Sequence, residues 1–258
     1  REIEGSCAPV EVLVTRPRED AEPLATELSA QGHRVWLAPL LTIRVTADAV
    51  PELSEVQALL FTSANGVRAF AARSVRRDLP ALAVGEATAS AARAAGFVEV
   101  ASASGDVTAL AELAEARLRP GDGVLYHAAG DTTAGDLKAR LETAGFAVRR
   151  EALYAATPAT ELPAAVRTAL AEGRLDAAVF FSPRTADTFV TLIQQGGLSG
   201  ACRTLAAVCL SPAVAGRLSH LPWREIRTAA APDRAALLEA LNGNPARGAA
   251  AEKRSANR

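Results

Sequence analysis

Two stretches of the chain repeat one pattern, and this pattern constrains the fold more than any other feature. Ala178–Phe189 (AVFFSPRTADTF) begins with an apolar run, reaches Ser182 and continues with residues that suit the first turn of a helix. Leu59–Phe70 (LLFTSANGVRAF) repeats this pattern, with Ser63 in the place of Ser182. A buried strand that stops at a serine opening a helix leaves free backbone N–H groups, which favour an anion together with the helix dipole. We expect the two copies to face each other across an anionic ligand.

The repeat extends beyond these two stretches. Predicted strands alternate with predicted short helices along the chain, which indicates a parallel α/β architecture. Val12–Val35 resembles Val124–Val148, and Ala83–Arg93 resembles Ala207–Arg217. The sequence therefore predicts a duplicated half, that is, a tandem internal repeat of two similar parallel-sheet domains of the flavodoxin-like or Rossmann-like kind.

Charge and hydropathy narrow the class of protein. The net charge is −1 and the pI is about 6.4, whereas proteins that bind nucleic acid or membrane surfaces are usually basic. No apolar run reaches the ~18 residues of a membrane span, and no signal-peptide core is visible. We expect a cytoplasmic protein with neither nucleic-acid nor membrane partners.

The cysteines and histidines suggest no metal site. Cys7, Cys202 and Cys209 cannot all pair with one another and fit no zinc-binding spacing, which favours a reducing compartment. Cys209 follows an apolar strand and is interpreted as a buried structural thiol rather than a nucleophile. The histidines lack metal-ligand spacing, so they are interpreted as surface or partly buried side chains. They are His33, His127 and His220.

Small hydroxylated residues recur where a strand gives way to a helix, whereas the usual nucleotide-binding and hydrolase motifs are absent. In open α/β sheets ligands bind beyond the carboxyl ends of the strands, so these hydroxyls are candidate ligand contacts. The alternative is that each residue is an ordinary helix N-cap. The candidates are Thr15, Thr62, Ser63, Thr88, Ser182 and Ser211.

Three larger polar side chains fall at the same edge of the predicted sheets. Arg16 and Arg184 could each pair with a carboxylate through two hydrogen bonds, although solvated arginines explain them equally well. Tyr154 ends a strand near the middle of the chain. Either core packing or a contact with the ligand would explain that tyrosine.

Five stretches together resemble the uroporphyrinogen-III synthase family. They are VLVTRP at Val12–Pro17, LLFTSANGVRAF, AVGEATASAARAAG, the strand and helix that lead to Tyr154, and VFFSPRTADTF. No single stretch is diagnostic. Their order and spacing, from about Val12 to Leu241, carry the resemblance.

The resemblance implies two α/β domains joined by a two-stranded linker. The first domain would be discontinuous, comprising residues 10–38 and 159–241, and the second would span residues 46–151. Residues 39–45 and 152–158 would form the linker strands. The remaining residues, 242–258, are polar and end basic, and we predict that they form a disordered tail.

The resemblance also implies an enzyme of tetrapyrrole (haem) biosynthesis, a hydro-lyase that needs neither cofactor nor metal. It would cyclise hydroxymethylbilane with inversion of the terminal D ring, through an azafulvene and a spiro intermediate, to uroporphyrinogen III. The carboxylates of this substrate suit helix N-termini, hydroxyls and arginines. Tyr154 would be the catalytic residue, near the leaving hydroxyl. The implied substrate-binding residues are Thr15, Arg16, Thr62, Ser63, Asn65, Gly85, Thr88, Ser182, Arg184 and Ser211.

The sequence departs from the family pattern in two places. HAAGDTTAGDL, which begins at His127, lacks the arginine that relatives commonly carry after the glycine. The contact that this arginine would make with a substrate carboxylate would therefore be lost or made by another residue. AVCLSPAVA, which begins at Ala207, has Ser211 where a Gly-Pro and a threonine are common.

Two interpretations from other classes stay open. A two-domain protein could bind a small anion without performing chemistry, or a regulatory domain could descend from the synthase and include the basic tail. For the enzyme we expect a monomer, with hydroxymethylbilane synthase, which supplies the substrate, as a candidate partner. Turnover of hydroxymethylbilane with isomer analysis distinguishes the enzyme, the anion-binding protein and the regulatory domain.

Overall fold

The computed structural model describes residues 9–46, 50–132 and 136–243. Strands and helices largely alternate within these ranges, as the sequence predicts. No helix described here combines the length and the hydropathy that a bilayer crossing requires.

The strands are short, and all but one have seven residues or fewer. In chain order they are β1 Glu11–Val14, β2 Arg34–Leu37, β3 Leu41–Val45, β4 Val56–Phe61, β5 Ala81–Ala83, β6 Val100–Ser102, β7 Val124–Gly130, β8 Ala147–Pro158, β9 Ala177–Phe180, β10 Ala206–Cys209 and β11 Glu225–Thr228. The helices are α1 Arg18–Ala30, α2 Ala64–Ala71, α3 Glu86–Ala94, α4 Val107–Arg117, α5 Leu137–Thr143, α6 Ala164–Ala171, α7 Pro183–Gln195, α8 Pro212–Leu218 and α9 Arg234–Asn242, with a short 3-10 helix at Ser199–Thr204.

The described residues of 1–41 and 158–258 form one compact unit, called here the discontinuous unit. Its sheet has the strand order β11-β10-β9-β1-β2, and every adjacent pair is parallel. Leu13 and Phe180 pack on one face with α6, α7 and α8, and Val12 and Val179 pack on the other with α1 and α9. Because helices cover both faces, the central strands are continuous apolar runs rather than alternating ones.

The described residues of 42–157 form the second compact unit, called here the central unit. Its sheet has the strand order β3-β8-β7-β4-β5-β6, and the adjacent pairs from β8 to β6 are parallel. Phe61 and Tyr126 pack on one face with Phe70 of α2 and with Phe97, at ring-centroid distances of 5.6 and 5.9 Å. Leu60 belongs to the opposite face, which packs against α4 and α5.

Strand β8 changes partner along its length. Its first part pairs in parallel with β7, in a register that ends with Gly130 opposite Tyr154. The N–H groups of Thr46 and Ala159 donate to the carbonyl oxygens of Leu153 and Leu40, each at 2.9 Å. These two bonds show that β3 and β8 run antiparallel. Tyr154 therefore lies where one pairing ends and the other begins.

The predicted α/β class with parallel sheets is confirmed. The two strand orders also correspond, because β2-β1-β9-β10-β11 matches β8-β7-β4-β5-β6 when the elements are paired as the sequence similarity suggests. The tandem repeat itself stays a prediction.

Several local expectations need correction. Helix α6 and the 3-10 helix were not recognised in the sequence pattern. Asn242, assigned to the disordered tail, is the last residue of α9, and its Oδ1 lies 3.0 Å from Nε2 of the buried His33. Residues 244–258 of that tail lie outside the described residues.

The thiols of Cys202 and Cys209 are free and fully buried, as predicted for Cys209. Burial raises the pKa of the Cys209 thiol to about 12. The thiol is therefore protonated near neutral pH, which suits packing and not nucleophilic chemistry. Cys7 lies outside the described residues.

Candidate active site

The hydroxyls of Ser63 and Tyr154 meet at the carboxyl edge of the central unit's sheet. Their oxygens lie 2.8 Å apart. Ser63 lies between β4 and α2 as the N-cap of the helix, and its Oγ accepts a hydrogen bond from the N–H of Gly66 at 3.1 Å. The serine therefore has the cap role of the alternative interpretation and also binds the predicted catalytic tyrosine.

Backbone geometry fixes the position of the Tyr154 ring. Gly130 is its partner on β7, and the register is irregular between Ala129 and Gly130. A Cβ atom at position 130 would lie 2.9 Å from Cζ of Tyr154 and 3.1 Å from its hydroxyl oxygen. A residue with a side chain at this position would displace the ring. Glycine at position 130 therefore leaves the room that the Tyr154 ring occupies beside β7.

A second close approach places the first turn of α2. A Cβ atom on Gly66 would lie 2.5 Å from the carbonyl oxygen of Ala128 in β7. This distance is shorter than any real contact of that kind, so only glycine lets the helix start this near the neighbouring strand. Gly66 and Gly130 together define where Ser63 and Tyr154 meet.

Thr62 projects from the same face of the sheet as Leu60, opposite to the face that Phe61 covers, and contacts a histidine. Its Oγ1 lies 3.2 Å from Nε2 of His127, which is only 5% exposed. Burial, and to a lesser degree the charge of Arg150, lower the pKa of His127 to about 4. The imidazole is therefore neutral near pH 7. Arg150 donates from Nη2 to the carbonyl oxygen of Gly130 at 2.5 Å.

The other predicted residues of the central unit lie near helix starts. Asn65 accepts a hydrogen bond from Nη2 of Arg68 at 2.6 Å. Gly85 is the N-cap of α3 in an extended conformation, with open space where a Cβ atom would be. Thr88 lies in the first turn of α3 and is buried.

At the carboxyl edge of the discontinuous unit's sheet, the hydroxyl of Thr15 is used internally. Thr15 is fully buried and donates to the carbonyl oxygen of Val179 at 2.8 Å. Arg16 is held from two sides, since its Nη2 lies 3.0 Å from Oδ2 of Asp20 and its Cζ lies 4.2 Å from the Phe181 ring centroid. The cation–π contact and the ion pair fix the guanidinium near the ends of β1 and β9.

Two serines cap helices of the discontinuous unit. Ser182 caps α7: its Oγ accepts from the N–H of Thr185 at 3.2 Å and lies 2.8 Å from the Thr185 hydroxyl. Arg184 lies in the first turn of α7 and is partly buried. Ser211 precedes α8 without a side-chain capping bond. The structure thus divides the predicted residues between the two sheet edges, and Ser63, Ser182 and Ser211 all stand at helix N-termini.

A cavity of about 460 Å³ lies between α7 and α8 of the discontinuous unit, and none of the predicted residues lines it. No group of three or more potential metal ligands occurs among the residues with described positions.

A family model described as Uroporphyrinogen-III synthase HemD matches residues 22–239, most of the chain. The chain belongs to the uroporphyrinogen-III synthase family. This membership confirms the resemblance seen in the sequence and places the chain in tetrapyrrole biosynthesis.

Named relatives agree with the uroporphyrinogen-III synthase assignment. A uroporphyrinogen-III synthase from Chlorobaculum parvum (strain DSM 263 / NCIMB 8327) is 29% identical over 208 residues, which cover 76% of this chain and 84% of the relative. Uroporphyrinogen-III synthetase from Helicobacter pylori 26695 gives a TM-score of 0.59 at 16% identity, covering 89% of this chain and 97% of that one. A mutant uroporphyrinogen III synthase from the extremely thermophilic bacterium Thermus thermophilus gives 0.54 at 20% identity, covering 90% and 97%. These structures share the fold of this chain.

Two polar residues beside this site were missed by sequence reasoning. His127 was interpreted only as a surface or partly buried side chain, and Arg150 was not considered. They are register partners on β7 and β8. A strand register cannot be derived from one sequence to the single residue, and a shift by one would place the two side chains on opposite faces.

Proposed function

We propose that the chain converts hydroxymethylbilane into uroporphyrinogen III, closing the ring with inversion of the terminal D ring and acting as a hydro-lyase without a cofactor. Family membership supports this reaction. The observation that carries the assignment to particular residues is the 2.8 Å contact between the hydroxyls of Ser63 and Tyr154 at the start of α2.

The hydrogen-bond pattern of Ser63 allows Tyr154 to act as a donor. The Oγ of Ser63 already accepts the N–H of Gly66, and its own hydrogen can be donated to the phenol oxygen. The phenol hydrogen is then available for the substrate's terminal hydroxyl. As the C–O bond breaks, that hydroxyl takes up a proton and leaves as water, and the pyrrole gives up its N–H proton to become the azafulvene.

The phenol need only stabilise the departing hydroxyl by a hydrogen bond, so it does not have to ionise. General-acid assistance of this kind is worth roughly 10²–10⁴ in rate. Ring closure through the spiro intermediate then depends on holding a reactive chain in one geometry. Positioning can contribute ~7–11 kcal/mol to lowering such a barrier.

The substrate carboxylates need positive partners, and the two sheet edges offer them. Helices α2, α3, α7 and α8 begin at these edges, and their first N–H groups favour anions. We assign carboxylate binding to the predicted set, with Thr15 in a structural role because its hydroxyl is bound to Val179. The assigned residues are Arg16, Thr62, Asn65, Gly85, Thr88, Ser182, Arg184 and Ser211. Ser63 is assigned instead to positioning Tyr154, because its hydrogen is donated to the phenol oxygen.

The same proposal covers the organisation and setting of the enzyme. We propose domains at residues 10–38 with 159–241 and at 46–151, joined by linker strands 39–45 and 152–158. The enzyme would act as a cytoplasmic monomer and receive its substrate from hydroxymethylbilane synthase. The two buried free thiols support a reducing compartment.

The experiment is turnover of purified hydroxymethylbilane followed by separation of the product isomers. Spontaneous closure gives isomer I, so we expect the chain to yield isomer III. Isomer I alone, at the rate measured without protein, would overturn the proposal. Tight binding of the substrate with no change in product would instead favour the non-catalytic anion-binding protein.

A further inference from the structure

Three polar side chains lie in a row on one face of the central sheet, at its carboxyl edge. His127 on β7 has Arg150 as its register partner on β8, and Leu60, two residues before Thr62, as its partner on β4. Register partners of parallel strands point to the same face. His127 therefore stands between the Thr62 hydroxyl on the β4 side and the Arg150 guanidinium on the β8 side.

Two nitrogen atoms in this row are buried without a hydrogen bond to any residue the structure describes. They are Nδ1 of His127 and Nε of Arg150. His127 is 95% buried, since its exposed fraction is 5%. The guanidinium is fixed by its bond to the carbonyl oxygen of Gly130. Burying polar atoms in this way is costly, so the arrangement points to a role beyond packing.

The charge of Arg150 favours one tautomer of the neutral imidazole. A neutral histidine carries hydrogen on one ring nitrogen and a lone pair on the other. Nε2 can hydrogen-bond to Thr62 in either form, whereas a hydrogen on Nδ1 would be a buried donor with no acceptor among the described residues. The positive charge of Arg150, which acts on this imidazole, favours a lone pair there instead. The hydrogen therefore belongs on Nε2, the atom that faces Thr62 at 3.2 Å.

We propose that Arg150 holds His127 in the Nε2–H form, and that this N–H donates to Oγ1 of Thr62 so that the threonine's own hydrogen is presented to a substrate carboxylate. His127 and Arg150 would thus be positioning residues for Thr62. The carboxylate part of this inference rests on the proposed function.

The form of the imidazole decides whether Thr62 can bind an anion at all. With hydrogen on Nε2, the threonine oxygen accepts from His127 and its hydrogen is free for the ligand. With hydrogen on Nδ1, Thr62 would donate to Nε2 and offer only lone pairs, which repel a carboxylate.

The first test is nitrogen NMR of the ¹⁵N-histidine-labelled protein at pH 7, which needs no substrate. The His127 signals are assigned by their loss in His127→Gln. We expect Nε2 to be protonated and Nδ1 unprotonated, and in Arg150→Met we expect both forms to be populated. Protonated Nδ1 in the wild type, or an unchanged form in Arg150→Met, would overturn the role of Arg150.

The second test is the kinetics of hydroxymethylbilane turnover. His127→Leu should raise KM about tenfold or more, because a hydrogen bond to a charged group is weakened, with kcat much less affected. His127→Gln should recover most of the affinity, since its amide can also donate to Thr62. In Thr62→Val, adding His127→Leu should cause no further loss.

His33→Leu is the matched control, because His33 is also 5% exposed and lies in the other unit, bound to Asn242. Its KM should remain at the wild-type value. Equal KM values for His127→Leu and wild type would overturn the carboxylate role. A wild-type protein that forms no isomer III would instead refute the proposed function, and the NMR result would still decide the form of His127.

Discussion

Tyr154 makes both kinds of contact that a sequence alone presents as alternatives. Its ring packs beside the apolar cluster that contains Phe61 and Leu153, while its hydroxyl reaches Ser63 at 2.8 Å. Core packing and site chemistry are therefore compatible at this residue. A substitution that keeps the ring and removes the hydroxyl can distinguish the two contributions.

We expect Tyr154→Phe to lower kcat at least tenfold, because it removes the donor to the leaving hydroxyl. General-acid effects are worth roughly 10²–10⁴ in rate. Stability should fall by no more than about 1 kcal/mol, the net worth of one hydrogen bond. The product should still be isomer III. Stopped-flow turnover and thermal melting measure both effects. Full kcat in Tyr154→Phe would make the tyrosine structural, whatever Tyr154→Ala does to folding.

At this scale the sequence predicted that Ser63 and Ser182 stand where a strand gives way to a helix, but it wrongly placed Tyr154 at the end of a strand, since β8 continues to Pro158. It also did not predict how these residues pair. Ser63 and Ser182 were identified as both candidate contacts and candidate caps, and both cap helices. The contact between Ser63 and Tyr154 joins residues 91 positions apart. It depends on the register of three strands and on the irregularity at Gly130, and neither leaves a periodic signal in one sequence.

At the scale of elements, the first turn of α2 is defined by a glycine. Gly66→Ala places a methyl group 2.5 Å from a backbone oxygen that cannot move without shifting β7. We expect a loss of about 2 kcal/mol or more in stability, as for other overpacked sites, and a lower kcat because Ser63 moves with the helix. Urea unfolding followed by circular dichroism measures the first effect.

Gly216→Ala is the control for this prediction. Gly216 also lies inside a helix, α8, but nothing lies within 4 Å of where its Cβ atom would be. Alanine should stabilise that helix by up to about 1 kcal/mol through its higher propensity. Equal effects of the two substitutions would show that the contact with Ala128 does not restrain α2.

The missing helix in the predicted element order has a simple explanation. Helix α6 has only eight residues, starts after Pro163 and lacks a side-chain cap. Its buried residues Val166, Ala169 and Leu170 have helical spacing, but three positions in eight residues are too few to establish a helical period, which needs a longer window. Tertiary packing of these residues with the core of the discontinuous unit stabilises it.

At the scale of the whole molecule, the discontinuous unit could not be derived from periodicity. The repeat in the sequence shows that Val12–Val35 and Val124–Val148 resemble each other, but not that β1 joins the sheet of β9, β10 and β11. The placement of β1 in that sheet was expected only from the family resemblance. Physically, β1 inserts between β2 and β9 because it is apolar on both sides and fits a fully buried central position.

The charge balance of the whole chain bears on how an anionic substrate is attracted. With 28 basic and 29 acidic residues, the net charge is −1, so the molecule as a whole offers no attraction to a polycarboxylate. Any attraction must come from local groups such as Arg16 and Arg184. Interactions of exposed charges are screened over about 10 Å at 0.1 M salt, so their contribution can be measured by varying ionic strength.

We expect KM for hydroxymethylbilane to rise as salt increases from about 0.05 to 0.5 M. Arg16→Ala and Arg184→Ala should each raise KM at low salt and reduce its dependence on salt, because each removes one charge that salt screens. Arg117→Ala is the control, since this exposed residue ends α4, and α4 leads back to the amino end of β7. If Arg16→Ala and Arg184→Ala keep the wild-type KM and salt dependence, as Arg117→Ala should, neither arginine binds the substrate carboxylates, and helix N-termini and hydroxyls bind them instead.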